Sequence, residues 1–142
     1  RCSSEKLSID KNDVHKKIRH HKVEIKSLAK EMPLDDFNNY IDNLTISTTP
    51  VNPNASKDAV KEAQNAIKEA KKEYRQTKGQ PRNDRIKALV KVDAAKEKLA
   101  QSKKDLVWFR YVNKKMLSTK KALMKIYERA QEDKEKKEGK QR

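Results

Sequence analysis

The chain has 142 residues and a net charge of +15, with 40% charged, 34% hydrophobic and 5% aromatic residues. Its two glycines and lack of β-branched runs exclude a compact α/β enzyme, which needs both for turns and strands, and indicate helices that each bury a narrow stripe. A chain this basic favours an anionic partner, because binding relieves its self-repulsion. Lys outnumbers Arg 28 to 8, which favours general backbone attraction over sequence-specific readout.

The pattern predicts an N-terminal helical segment over 1–44, with helices at about 10–32 and 34–44. Asp10 or Asn12 is the expected N-cap of the first helix, and Pro33 ends it and opens the next. The first helix has a seam with heptad spacing, in which His21 is a polar residue that sets the register. The apolar members of this seam are Val14, Ile18, Ile25, Leu28 and Met32.

Residues 45–56 are rich in Pro, Thr and Asn and are predicted to form an extended linker. Ser56 is the expected cap of a helix at about 57–78. Gly79 suits a left-handed C-terminal cap, and Asn83 or Asp84 is expected to cap a last helix at about 84–135. The basic tail, 136–142, lacks apolar periodicity and is expected to be disordered when free. Asn43 and Asn54 begin glycosylation sequons, to which we give little weight because such triplets arise often by chance.

The short connection after residue 78 makes the flanking helices antiparallel neighbours, so 57–135 is predicted to be a helical hairpin. The last helix is much longer than its partner, which leaves its half after about residue 106 without a neighbour. The first helix is expected to cover that half. The predicted fold class is therefore all-α: an elongated, coiled-coil-like antiparallel hairpin with a shorter N-terminal helix along it, three to four helices in all.

The stretch from 103 to 130 is expected to separate its charged and apolar residues onto opposite sides of one helix. Like charges stacked along a helix are costly in isolation, which favours an anionic partner over an ordinary solvated face. The candidate nucleic-acid or anion-binding residues are Lys103, Arg110, Lys114, Lys121 and Lys125, flanked by Lys104 and Lys115. The candidate helix-packing residues are Trp108, Phe109, Val112, Met116, Leu123 and Ile126.

Two other partners would use the same stretch. A basic amphipathic helix with Trp and Phe can lie on an anionic membrane surface. The pattern also suits a calmodulin-like groove, with Phe109, Met116 and Leu123 as anchors. Both require the apolar side to be accessible, whereas its continuous periodicity predicts that another helix covers it.

The sequence has no Gly-rich phosphate loop, nucleophile elbow or acid pair in a pocket-forming context, so we predict no catalytic residues, cofactor or small-molecule substrate. His20 and Glu24 are four apart and could share a metal ion, but no third ligand is identifiable, so we predict no metal site. The single Cys2 excludes an internal disulfide and fits a reducing compartment. Arg1 stands where a lipoprotein cleavage site needs a small residue, which argues against a lipoprotein. An intracellular or organellar location is favoured over secretion.

These features favour a non-enzymatic protein that binds nucleic acid, RNA in preference, through backbone electrostatics. The expected setting is an accessory role in a ribosome-like or other ribonucleoprotein particle. The alternatives are a coiled-coil adaptor or scaffold that binds a helical partner with an acidic surface, and a basic helix that binds an anionic membrane.

Overall fold

The computed structural model describes the backbone of residues 2–140 and the side chains of residues 5–139. Arg1, the Cys2 side chain and tail residues 141–142 lie outside the described residues. Within residues 2–140 the protein is all-α, as predicted, with four helices and no strand. The helices are α1 (Cys2–Leu28), α2 (Leu34–Asp42), α3 (Lys57–Gln76) and α4 (Arg82–Lys140).

The helices form two compact units. The first unit comprises residues 1–50 and 112–142, so it contains α1, α2 and the second half of α4. The second unit, residues 51–111, contains α3 and the first half of α4. The expectation that the first helix covers the second half of the last helix is therefore confirmed.

α1 begins at Cys2, so the prediction that Asp10 or Asn12 caps its start is wrong. No Gly or Pro lies before Asp10, and Glu5 in the first turn suits the positive end of the helix dipole. The Asp10 carboxylate instead accepts a hydrogen bond from the Thr49 hydroxyl, at 2.9 Å. The residue that resembled a cap thus fastens the loop after α2 onto α1.

α1 also ends earlier than predicted, at Leu28 rather than near Met32. Side chains of α4 bind the carbonyl groups that follow: Tyr127 Oη donates to Met32 O at 2.7 Å, and Gln131 Nε2 donates to Ala29 O at 2.6 Å. Because side chains of a neighbouring helix donate hydrogen bonds to these carbonyls, α1 can end here without leaving the carbonyls unpaired.

The seam of α1 departs from its heptad spacing at the same end. Leu28 is 45% exposed, whereas the neighbouring Ala29 is fully buried. An α-helix with 3.6 residues per turn drifts by about 20° per heptad, which brings Ala29 into the position that strict heptad spacing assigns to Leu28. The buried side chains of this unit are Val14, Ile18, Ile25, Ala29, Phe37, Leu44, Ile46, Val112, Thr119, Leu123 and Tyr127.

α2 packs through aromatic and polar contacts. Phe37 stacks on Tyr127 of α4, with ring centroids 4.3 Å apart and an interplanar angle of 8°. His21 of α1 is half-buried, with Nδ1 2.6 Å from the Tyr40 hydroxyl and Nε2 2.9 Å from the Thr45 carbonyl. Because a carbonyl only accepts, the Nε2 atom carries a proton in this arrangement. This residue of the seam therefore fixes both α2 and the following loop on α1.

The ends of the α3–α4 hairpin follow the sequence signals closely. Ser56 caps α3, since its Oγ accepts from Ala59 N at 3.0 Å, and Gly79 has a left-handed φ of +86°, both as predicted. α4 begins at Arg82, before the Asn83 or Asp84 expected to cap it, because the Pro81 carbonyl already accepts from Asp84 N at 3.1 Å. One core cluster of this unit consists of Ala70, Val92 and Ala95, with Ile67 and Tyr74 packed against it.

α4 continues past its predicted end near residue 135 and remains helical through Lys140. The tail lacks apolar periodicity, but Glu132 and Asp133 each have a lysine four residues later, Lys136 and Lys137. Pairs of this kind, with the acid on the N-terminal side, support an exposed helix by about 0.2–0.5 kcal/mol each. The spacing of these acids and lysines thus favours a helix where the hydrophobic pattern predicted none.

Candidate anion-binding face of α4

The predicted anion-binding residues all lie on α4, divided between the two units. Lys103, Lys104 and Arg110 belong to the second unit and are exposed. The first unit carries Lys114, Lys121 and Lys125, also exposed, together with Lys115, which is half-buried and has an interaction partner. We call Lys114, Lys121 and Lys125 the lysine row, because their spacing of seven and four residues places them on one side of the helix.

Within the described residues, no member of the lysine row forms an ion pair or a side-chain hydrogen bond, and neither does Lys103 or Arg110. The sequence from 106 to 127 contains no Asp or Glu. Lys121 and Lys125 are four residues apart, which destabilises an isolated helix by a few tenths of a kcal/mol. The lysine row is therefore a solvated cationic surface without an internal counter-charge.

Asp105, the one acid near the start of this stretch, is hydrogen-bonded within the second unit. Its Oδ2 atom accepts from Asn52 Nδ2 at 3.1 Å, and its Oδ1 atom accepts from Gln101 Nε2 at 2.8 Å. Both carboxylate oxygens therefore have amide donors. This carboxylate is already bound and does not neutralise Lys103 or Arg110.

The predicted helix-packing residues face inward to different degrees. Trp108, Val112 and Leu123 are buried, whereas Phe109, Met116 and Ile126 are half-buried. Thr119 and Tyr127, which the helical periodicity places on the same apolar side, are buried as well.

Tyr111 stacks on Trp108 in the second unit, with ring centroids 5.6 Å apart and an interplanar angle of 23°. Burial raises the pKa of the Tyr111 hydroxyl above its ordinary value. This ring therefore packs against the indole of its own helix.

Two apolar side chains that sequence reasoning missed lie among the cations of the first unit. Leu117 is 58% exposed and Met124 is 48% exposed. They are seven residues apart, and Leu117 follows Lys114 by three residues as Met124 follows Lys121. This common offset places both beside the lysine row, on a different side of α4 from the buried Leu123. Their seven-residue spacing indicates a shared side of the helix, which lies outside the continuous apolar arc of the buried residues.

His20 and Glu24, the only pair considered for a metal, contact each other, with His20 Nε2 and Glu24 Oε2 3.1 Å apart. Across the side chains of residues 5–139, no group of three or more His, Cys, Asp or Glu is placed to hold a metal ion. The described helices also include none that is long and apolar enough to cross a membrane.

The face built from the lysine row can attract oxyanions through three mobile ammonium groups. It lacks the fixed fork of donors with which Arg recognises one particular base or phosphate. Comparison with known proteins adds no relative, since no protein-family model, curated protein or solved structure matches this chain significantly.

Proposed function

We propose that this protein binds nucleic acid, RNA in preference, through non-enzymatic contacts between its lysines and the phosphate backbone. The setting that we propose is an accessory component of a ribonucleoprotein particle. The observation that carries the proposal is the lysine row, whose exposed cations have no acidic partner among the described residues. The net charge of +15 supports it, because a chain this basic gains from neutralisation by a polyanion.

The spacing of the lysine row suits a phosphate backbone. With a rise of about 1.5 Å per residue, Lys114 and Lys121 lie about 10 Å apart along the helix, and Lys121 and Lys125 about 6 Å apart. Phosphates recur every ~3.4 Å along one strand of a duplex, so flexible lysine side chains find an acceptor at each position. Such contacts carry no sequence information and their strength depends on salt.

The test compares two triple variants that remove the same charge. Lys114→Gln, Lys121→Gln and Lys125→Gln remove the lysine row. Lys61→Gln, Lys68→Gln and Lys72→Gln are the control, because these exposed lysines of α3 have the same spacing of seven and four residues. Gln has nearly the helix propensity of Lys, so both variants should keep the wild-type circular dichroism spectrum.

Affinity for a single-stranded RNA and for a DNA duplex would be measured by fluorescence anisotropy at several salt concentrations. Loss of three phosphate contacts should lower the slope of log K against log salt by about 2 for a single strand and about 2.7 for a duplex. The control should retain the wild-type slope. If both variants lose the same affinity, the effect comes from net charge and not from the position of the lysine row. Absence of RNA and DNA binding by the wild type at low salt would contradict the proposal.

A second function is favoured by the exposed Leu117 and Met124, namely binding to an anionic membrane surface or an acidic protein. Apolar side chains beside lysines are typical of helices that lie in the interface of a bilayer. The double variant Leu117→Gln, Met124→Gln should reduce co-sedimentation with phosphatidylserine vesicles and leave RNA affinity unchanged. If RNA affinity falls and vesicle binding does not change, the membrane function is excluded.

A further inference from the structure

The loop after α2 is fastened to α1 at two places besides the Asp10–Thr49 hydrogen bond. At one, His21 Nε2 donates to the Thr45 carbonyl at 2.9 Å. At the other, Asp13 Oδ2 accepts from the Thr48 hydroxyl at 3.0 Å and from the Thr48 amide at 3.4 Å. Between the two places, Ile46 is only 1% exposed and anchors the loop in the core of the first unit. The position of this loop over α1 is therefore fixed by the fold.

A groove of about 370 Å³ lies against this loop. Its α1 members recur at intervals of three and four residues, so they share one side of the helix. This volume falls within the range of small-ligand sites, about 300–1,000 Å³. The groove is lined by Asp13, Lys16, Lys17, His20, His21 and Thr45.

The charges of the groove favour an anion. Within the described residues, Lys16 and Lys17 form no ion pair and no side-chain hydrogen bond. The one carboxylate in the lining, that of Asp13, already accepts two hydrogen bonds from Thr48. His20 contacts Glu24, so its imidazole has a fixed orientation at the edge of the groove. Two lysines, two histidines and one hydrogen-bonded carboxylate thus line the groove, and the Glu24 carboxylate contacts one of the imidazoles.

We propose that this groove binds a phosphate monoester group. Such a group has three strong acceptor oxygens and a charge of about −1.5 to −2 at pH 7, which matches two ammonium groups better than a singly charged carboxylate does. Lys16 and Lys17 bind the phosphate oxygens, and the His20 ring lines the same groove. The site lies on α1 and does not depend on the lysine row of α4.

Histidine ring signals in 15N-labelled protein report on the site during titration with inorganic phosphate. We expect saturable shifts for His20 and His21, which line the groove, and no shift for His15, which does not line it. Lys16→Gln with Lys17→Gln should weaken binding at least about tenfold, since hydrogen bonds between charged groups are the stronger kind.

Lys22→Gln with Lys26→Gln is the matched control, because both lysines are exposed on α1 and lie outside the groove. It should retain the wild-type phosphate affinity. Unsaturable shifts, equal shifts of all three histidines, or equal weakening by both double variants would overturn the proposal. Thermal unfolding of both variants verifies that the fold is intact.

Competition identifies the source of the phosphate. Displacement of inorganic phosphate by adenosine monophosphate indicates a small molecule. Displacement by an RNA oligomer with a 5′-phosphate but not by adenosine monophosphate indicates a strand end. An RNA oligomer with a 5′-hydroxyl that displaces phosphate equally well would overturn recognition of a monoester. The triple variant of the lysine row should bind inorganic phosphate as the wild type does, so failure of either proposal is separable from the other.

Discussion

At the scale of single residues, polar side chains of α4 complete the end of α1. Tyr127, Gln131 and Lys134 donate hydrogen bonds to three acceptors just beyond the helix, the carbonyls of Met32, Ala29 and Lys30 respectively. The Tyr127 ring also stacks on Phe37 of α2. One side chain therefore contributes both apolar burial and a hydrogen bond to the first unit.

Tyr127→Phe should destabilise the protein by about 0.5–1.5 kcal/mol, because it removes the hydrogen bond to the Met32 carbonyl and keeps the stacked ring. Urea unfolding would measure the change. Tyr74→Phe is the control, since the Tyr74 hydroxyl only accepts a 3.5 Å contact from Arg85 and should contribute less. Equal changes in the two variants would assign the effect to the loss of a hydroxyl in general.

Tyr40 predicts how stability falls at alkaline pH. Burial, together with the negative charge of Glu24, raises the pKa of Tyr40 from 10.0 to about 12. The folded state therefore keeps this proton when the unfolded state has lost it. The resulting contribution is complete below pH 10 and disappears as the pH rises from 10 to about 12.

Unfolding by urea between pH 9 and pH 12 should show a steeper loss of stability in the wild type than in Tyr40→Phe. Absorbance at 295 nm should show a late tyrosine ionisation that is missing in the variant. If the two proteins have parallel stability curves, the Tyr40 hydroxyl does not ionise differently in the folded and unfolded states.

At the scale of helices, the break between α3 and α4 depends on one glycine. Gly79 has a φ of +86°, and a Cβ atom added there would meet no atom within 4 Å. The sequence predicted this conformation from the order Gly, then Pro81, then a new helix. Glycine is therefore required at position 79 for its backbone conformation, and a side chain there would have enough space.

Gly79→Ala should destabilise the protein by about 1 kcal/mol, because the left-handed conformation costs a residue with Cβ roughly that much. Thermal unfolding would measure it. Gly139→Ala is the opposite control: Gly139 lies within α4 and is exposed, so alanine should leave stability unchanged or raise it slightly. Destabilisation of both variants to the same extent would contradict the role of Gly79.

At the scale of the whole molecule, the dominant quantity is the net charge of +15. Self-repulsion of this size opposes the folded state, and salt weakens it as the Debye length falls from about 30 Å at 0.01 M to about 10 Å at 0.1 M. Within the described residues the recorded ion pairs, His20–Glu24 and Lys91–Glu73, involve exposed or partly exposed side chains, so salt removes little attraction in return.

Raising NaCl from 0.02 to 0.3 M should therefore increase the melting temperature, by a few degrees for about 1 kcal/mol of relief. Both triple variants, with +12 in place of +15, should melt higher than the wild type at low salt and respond less to NaCl. Each variant removes one pair of lysines four residues apart. The lysine-row variant should gain more than the α3 control, since the control also removes Lys61 and Lys72, which follow Asp58 and Glu69 by three residues. A melting temperature that falls with salt would show that ion pairs outweigh repulsion.

Local chemistry by itself determined the helical class, the hairpin break at Gly79, the Ser56 cap and the division of α4 into charged and apolar sides. Each depends on residues within a few positions of one another, through capping, backbone preference or helical periodicity. The lack of acids from 106 to 127, the stretch that carries the lysine row, was also readable in the sequence.

Tertiary structure decided where α1 begins and ends, and which residues share the groove. The residues next to Asp10 and Asn12 are compatible with a helix cap at either position. The actual partner of Asp10 is Thr49, which lies far along the chain. The groove on α1 depends on the loop held by His21 and Asp13, a contact between segments that no periodicity encodes. Periodicity assigns a side chain to a face of its helix, but only packing decides which neighbour covers that face and which polar groups it brings together.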